Sequence, residues 1–104
     1  MKAISIQQPH TELILSGKKN REYRTWNTKV RGTVLIHCSK QLDKKAIEQL
    51  GISSNNLPKG SICGKVDIIG VEKYGEKDYG WILANPKKFK NPKPVKGMLG
   101  FFNV

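Results

Sequence analysis

The chain has 104 residues and carries nineteen Lys and Arg against eight Asp and Glu, a formal charge of +11. That length fits one domain, residues 1–104, large enough to bury a core without metal or disulfide staples. No apolar run reaches the length of a membrane span, and in the opening MKAISIQQPH a short apolar stretch is cut by Pro9, so no signal-peptide layout is present and a cytoplasmic protein is expected.

Residues 2–6, KAISI, alternate and read as a short strand. Residues 9–16 read as a helix, with Pro9 in its first turn and Gly17 as its stop. His10, Leu13 and Ile14 fall at i, i+3 and i+4, which predicts one buried stripe. Residues 21–26, REYRTW, suit a strand with Glu22, Arg24 and Trp26 on one face and Tyr23 and Thr25 on the other. A basic turn over 27–32 leads into 33–39, TVLIHCS, apolar on both faces and therefore expected at the centre of a sheet.

Residues 42–50 form a second predicted helix, with Leu42, Ala46, Ile47 and Leu50 facing inward and Gly51 as its stop. A polar loop over 52–60 precedes a long strand, SICGKVDIIGVEKY, in which Gly64 and Gly70 mark bends or bulges. Its alternation places Ile62, Val66 and Ile68 on one face and Cys63, Asp67 and Val71 on the other. The segment GWILANPKKFKNPKPVKG has three prolines and five lysines, a composition that predicts a surface loop. Residues 99–104 close the chain as a strand. Together these elements predict an α+β fold: a small mixed β-barrel, closed or partly closed, flanked by two or more short helices.

Charge is concentrated at the start of GKKNREYRTWNTKVRGTVLIHCSK. Lys18, Lys19, Arg21, Arg24, Lys29 and Arg31 fall within fifteen positions, with one acid, Glu22, and two aromatics, Tyr23 and Trp26. Cations bind phosphate and aromatic faces stack on bases, so the pattern points to nucleic acid, RNA above all. The lysine-rich segments lack a strong apolar helical face, which argues against a membrane surface. Cys38 and Cys63 sit in apolar runs without a C-x-x-C and read as buried thiols. With only His10 and His37 beside them, no metal-ligand spacing exists.

The segments AISIQQPHTELILSGKKNREYRTW, RGTVLIHCSK, WILANP and PVKGMLGFFNV, in this order, resemble the ASCH domain of the PUA-like superfamily. The usual form opens on a QPW-type helix start, continues with G-x-K-[TS]-x-E-x-R-x-W and RG-x-L-L-I-H-x-S-K, and ends in W-x-L-x-NP and KG-x-x-G-x-F. Here His10 stands at the Trp, Asn20 at the hydroxyl residue, and VEKYGEKDYGW is shorter than in many members. The resemblance implies a PUA-like barrel with a cleft between barrel and helices, and binding of RNA or nucleotides. Some members of the family are hydrolases of modified cytidine or of RNA. By position, Lys19, Glu22 and Arg24 match the family's polar cleft motif, and Ser39 and Lys40 the end of its next strand.

On a strand, Glu22 and Arg24 stand about 7 Å apart on one face. They form either a surface ion pair or an Arg fork aimed at a phosphate or base and steered by Glu22. Lys19 is a phosphate contact, or a base if its neighbours depress its pKa. Trp26 either packs or stacks on a base; His37 reads as a satisfied core histidine; Asp67 pairs with a cleft lysine or acts as an acid. The binding reading uses Lys18, Lys19, Arg21, Arg24, Trp26, Lys29, Arg31, Ser39 and Lys40 as the nucleic-acid surface. The enzyme reading gives Lys19 the activation of water, Glu22 the proton transfers and Arg24 the developing negative charge. A protein-interaction module with acidic partners is the third class. No cofactor and no metal are implied, and a monomer is expected.

Overall fold

The computed structural model describes all 104 residues. In chain order the elements are β1 (Lys2–Gln8), α1 (His10–Leu15), β2 (Arg21–Arg24), β3 (Gly32–Leu42), α2 (Lys44–Leu50), β4 (Ser61–Gly75), β5 (Asp78–Pro94) and β6 (Phe101–Asn103). The six strands form one sheet in the order β2-β5-β4-β3-β1-β6. Only β1 and β3 run parallel; every other ladder is antiparallel. The fold is thus a small mixed α+β one, with β2 and β6 as the unpaired edges of the sheet. No helix is long and apolar enough to cross a membrane.

The central position predicted for TVLIHCS is observed, with Val34, Ile36, His37 and Cys38 all buried. The main core gathers Ile4, Ile6, Ile14, Leu15, Val34, Ile36, Val66, Ile68, Trp81 and Leu83 with the two cysteines, which are free. Each aliphatic side chain so buried stabilises the fold by about 1.5–3 kcal/mol relative to exposure. The Cys38 sulfur and burial push the Cys63 thiol up, so it stays protonated.

Several expectations need correction. The strand after the first helix ends at Arg24, so Trp26 lies beyond it. In α1 Ile14 is buried as expected, but its buried companions are Thr11 and Leu15 rather than His10 and Leu13. The cause is anchoring at the helix start: the Thr11 hydroxyl donates to the Ile6 carbonyl at 2.9 Å, and fully buried Gln8 accepts from the Glu12 N–H at 3.0 Å. These bonds turn His10 toward the open side. In α2 no residue is buried, and Leu50 is 49% exposed. Its apolar stripe has the right period but is only half covered, at Ala46 and Ile47. Along β4 a register shift at Cys63 breaks the alternation. Cys63 therefore joins Val66 and Ile68 in the main core, while Ile62 packs with Ala3 and Phe102.

The proline-rich tail is strand, not loop, as far as Pro94. It stays in the sheet by looping residues out. Asp67 pairs with Ala84 and Lys65 with Lys87, so Asn85 and Pro86 form a bulge, with Asn85 at φ 53. Gly64 then pairs with Lys88 and Ile62 with Lys93, which sets residues 89–92, Pro92 included, outside the ladder.

Candidate functional site

The two sheet edges approach each other, and side chains bridge the gap. β6 covers β1 only over Lys2–Ile4, so from Ser5 onward that side of β1 has no strand beside it. Arg24, at the end of β2, fills the place: its Nη2 donates to the Ser5 carbonyl at 2.7 Å. Trp26 stands edge-on to Trp81 of β5 at 4.8 Å and to Phe101 of β6 at 5.8 Å, and Trp81 stacks on Phe101. Between this seam and α1 opens a cleft of about 440 Å³ lined by Ser5, Ile6, Gln7, His10, Lys19, Glu22, Tyr23, Arg24 and Ser39.

Its charges are arranged in two linked groups. Arg24 Nη2 also donates to Glu22 Oε2 at 3.0 Å, and the Glu22 side chain is only 9% exposed. Both bonds use Nη2, so Nη1 and Nε remain for a ligand, and the guanidinium lies 5.7 Å over the Trp81 ring. In the second group, the Asp43 carboxylate accepts from His10 Nε2 at 2.7 Å, and His10 Nδ1 lies 3.0 Å from Lys19 Nζ. A carboxylate can only accept, so Nε2 carries the proton and Nδ1 accepts from Lys19. The Lys19 ammonium also lies 5.4 Å over the Tyr23 ring.

Burial pushes the Lys19 amine below its ordinary value, against the opposing pull of the Glu22 and Asp43 carboxylates. The bond from His10, with a second from the Ala46 N–H, holds Asp43 below the usual carboxylate range. Asp43 is the N-cap of α2, its Oδ1 accepting from Ala46 N–H at 3.1 Å. It meets His10 because the parallel ladder brings Gln8 opposite Leu42, and the Asp43 N–H continues it to the Gln8 carbonyl at 2.9 Å.

The family model for the ASCH domain matches residues 4–93. The chain belongs to the ASCH domain family. Two solved structures share its fold: ASCH from Zymomonas mobilis, at a TM-score of 0.63 and 14% identity over 90% of this chain and 73% of that one, and a tyrosine-to-phenylalanine mutant of the Zymomonas mobilis protein, at 0.62 and 14% over 90% and 75%. No curated protein matches the sequence.

In this ASCH domain, Lys19, Glu22, Arg24 and Ser39 converge in the cleft. Other sequence candidates lie elsewhere. Lys40 lines a second hollow on the far side of Ser39. Lys29 and Arg31 border a shallow depression with Lys2, and Arg21 pairs with Glu72 at 3.0 Å on the outer surface. Lys18 is exposed beyond α1. Trp26, 37% exposed, packs in the aromatic seam, and its carbonyl accepts from Trp81 Nε1. His37 is a satisfied buried histidine, bonded to Ser5 Oγ at 2.9 Å and to the Val95 carbonyl at 2.6 Å.

Asp67 pairs with no cleft lysine. It accepts from Thr33 at 2.6 Å and from Asn85 at 2.9 Å, which holds the β5 bulge and depresses its pKa. The residues missed from sequence are His10 and Asp43, while Tyr23, noted there among the cations but expected on the face opposite Glu22 and Arg24, lines the same cleft. For the first, the signal was its place directly after Gln8-Pro9, where the helix start meets the cleft. No group of three or more His, Cys, Asp or Glu side chains is arranged to hold a metal ion.

Proposed function

We propose that the chain is an RNA- or nucleotide-binding module of the PUA-like type, with the ligand in the cleft at Lys19, Glu22, Tyr23 and Arg24. The observation that carries this reading is the convergence, in one 440 Å³ hollow, of an ammonium, a guanidinium with free Nη1 and Nε, and an exposed tyrosine ring. Cations take phosphate oxygens, and an aromatic face takes a base irrespective of its identity. The exposed Lys18, Lys29, Arg31 and Lys40 extend the positive field around that cleft. The side-chain bridges across the seam support a barrel-like curl, completed without a ladder between β2 and β6. Fluorescence anisotropy of labelled single-stranded RNA, duplex RNA and duplex DNA at two salt concentrations tests the reading. Binding of single-stranded RNA that weakens steeply with salt, and again in Lys19→Gln, supports it; binding indifferent to both overturns it.

A hydrolase of N-acylated cytidine or RNA is the second reading, favoured by the Asp43–His10–Lys19 line. Asp43 fixes the imidazole with its unprotonated Nδ1 toward Lys19, and burial favours the neutral amine that can take a proton from water. Asn20 supplies no hydroxyl nucleophile here. Incubation with N4-acetylcytidine and with labelled RNA, followed by chromatography, decides between them. Product formation by the wild type that is lost in Lys19→Gln makes the chain an enzyme; intact substrates leave a binding module.

A further inference from the structure

On the far side of Ser5 and Ser39 lies a larger hollow, of about 840 Å³, between the end of β3 and the segment that follows β5. Ser5 and Ser39 line both hollows, so the two meet at a shared threshold. Lys40 and Lys96 border the larger one, while Pro94, Val95, Met98 and Leu99 give it an apolar side. Leu99 is 100% exposed and Met98 64%, an unusual presentation in so charged a chain.

The hollow is built rather than incidental. His37 Nε2–H donates to the Val95 carbonyl, and the Val95 N–H donates to the Gly60 carbonyl at 3.2 Å, which pins the start of the segment. Gly97 presses so closely on the floor that a Cβ there would stand 2.6 Å from His37 Cε1 and 2.9 Å from Ser5 Oγ. The stem of Lys40 lies against Gly60, where a Cβ would meet its Cε at 2.9 Å. Backbone contact thus seats one cation and one apolar wall around a polar threshold.

We propose that this hollow holds the neighbouring nucleotide of a single strand whose first nucleotide lies in the Lys19–Arg24 cleft, with the linking phosphate at Ser39, whose hydroxyl accepts from the Gln41 N–H and keeps its own hydrogen to donate. The inference rests on the binding reading above and narrows it: the ligand is a step of single-stranded polynucleotide, not a free nucleoside. Charge complementarity selects this occupant. An apolar peptide would meet Leu99 and Met98 but leave the lysines unused. A base against Met98 and Leu99 with its phosphate at Lys40 and Lys96 uses both. Two compartments separated by one threshold also require unpaired bases, which excludes a duplex.

The test measures binding of a 5′-phosphorylated mononucleotide and of the corresponding dinucleotide, each by competition against a labelled RNA oligonucleotide. Leu99 and Lys96 are exposed, so Leu99→Ala and Lys96→Ala should leave the fold intact, which an unchanged melting temperature checks. The dinucleotide is expected to bind about tenfold more tightly, as one further stacked and phosphate-bound nucleotide requires. Both variants should erase that gain and leave mononucleotide binding unchanged, whereas Lys19→Gln should weaken both ligands. A mononucleotide that binds as tightly as the dinucleotide, or a gain that survives both variants, overturns the second compartment alone. Absence of binding by either ligand overturns the cleft reading, and this inference with it.

Discussion

In the cleft every charged side chain has a partner: Arg24 holds Glu22 and Ser5, and Lys19, His10 and Asp43 form a line. Along β5 beyond Asn85 the situation reverses. Lys87, Lys90 and Lys93 are exposed and enter no ion pair, and only Lys88 has one, to Glu12 at 2.8 Å. Both regions are basic, but only the first is geometrically fixed. Fixed charge selects a ligand by shape; free charge attracts any polyanion and is screened by salt.

Arg24→Ala should break the cleft most severely. It leaves Glu22 as a buried carboxylate without its partner and removes the guanidinium that bonds Ser5 across the seam. Loss of one member of such a pair costs about 3 kcal/mol. For a domain of this size the melting temperature should fall by roughly 15 °C. The double variant Glu22→Gln/Arg24→Ala should recover part of the loss, because no buried charge is stranded. A melting temperature unchanged by Arg24→Ala would mean that the pair is a solvated contact of no structural weight.

Gly97→Ala comes next. Its Cβ would collide with His37 and Ser5, so the segment after Pro94 must lift, at about 1–3 kcal/mol. Amide exchange at Val95, whose N–H is held by Gly60, should accelerate more than exchange in β3. Equal effects at both places would show the segment to be no independent unit. By contrast, the triple change of Lys87, Lys90 and Lys93 to alanine should leave the stability within about 0.5 kcal/mol of the original. It should lower the slope of log affinity against log salt by about 2 for single-stranded RNA, equally for all sequences. A loss confined to particular sequences would place these lysines in base recognition and erase the contrast drawn above.

The same contrast explains what was legible in the sequence. Lys19, Glu22 and Arg24 lie within six positions, and strand periodicity alone puts the last two on one face. The His10–Asp43 contact joins residues 33 apart and depends on the parallel pairing of β1 with β3, which no local pattern announces. The tail misleads in the opposite sense. Its prolines argue for a loop, yet Pro86 and Pro92 sit where residues leave the ladder, so the strand continues past them. In α2 the apolar period is genuine but the stripe is only half covered, and periodicity cannot report what an element packs against.

Lys19 gives the smallest and most diagnostic effect. Burial lowers its pKa, so between its folded value and the unfolded 10.5 the native state binds fewer protons than the unfolded chain, and stability rises with pH through that window. Competitive acetylation across pH should give Lys19 a midpoint below the ordinary lysine value of 10.5. Asp43→Asn then separates two roles of one side chain. Asparagine caps a helix as well as aspartate does, so α2 and the overall stability should hardly change. But the Asp43 carboxylate favours the Lys19 ammonium, and its removal should lower the Lys19 midpoint further. A midpoint that stays in place in Asp43→Asn would mean that the aspartate acts only as a cap. A midpoint that moves while the fold holds would show that α2, in which no residue is fully buried, serves to set the charge of the cleft lysine.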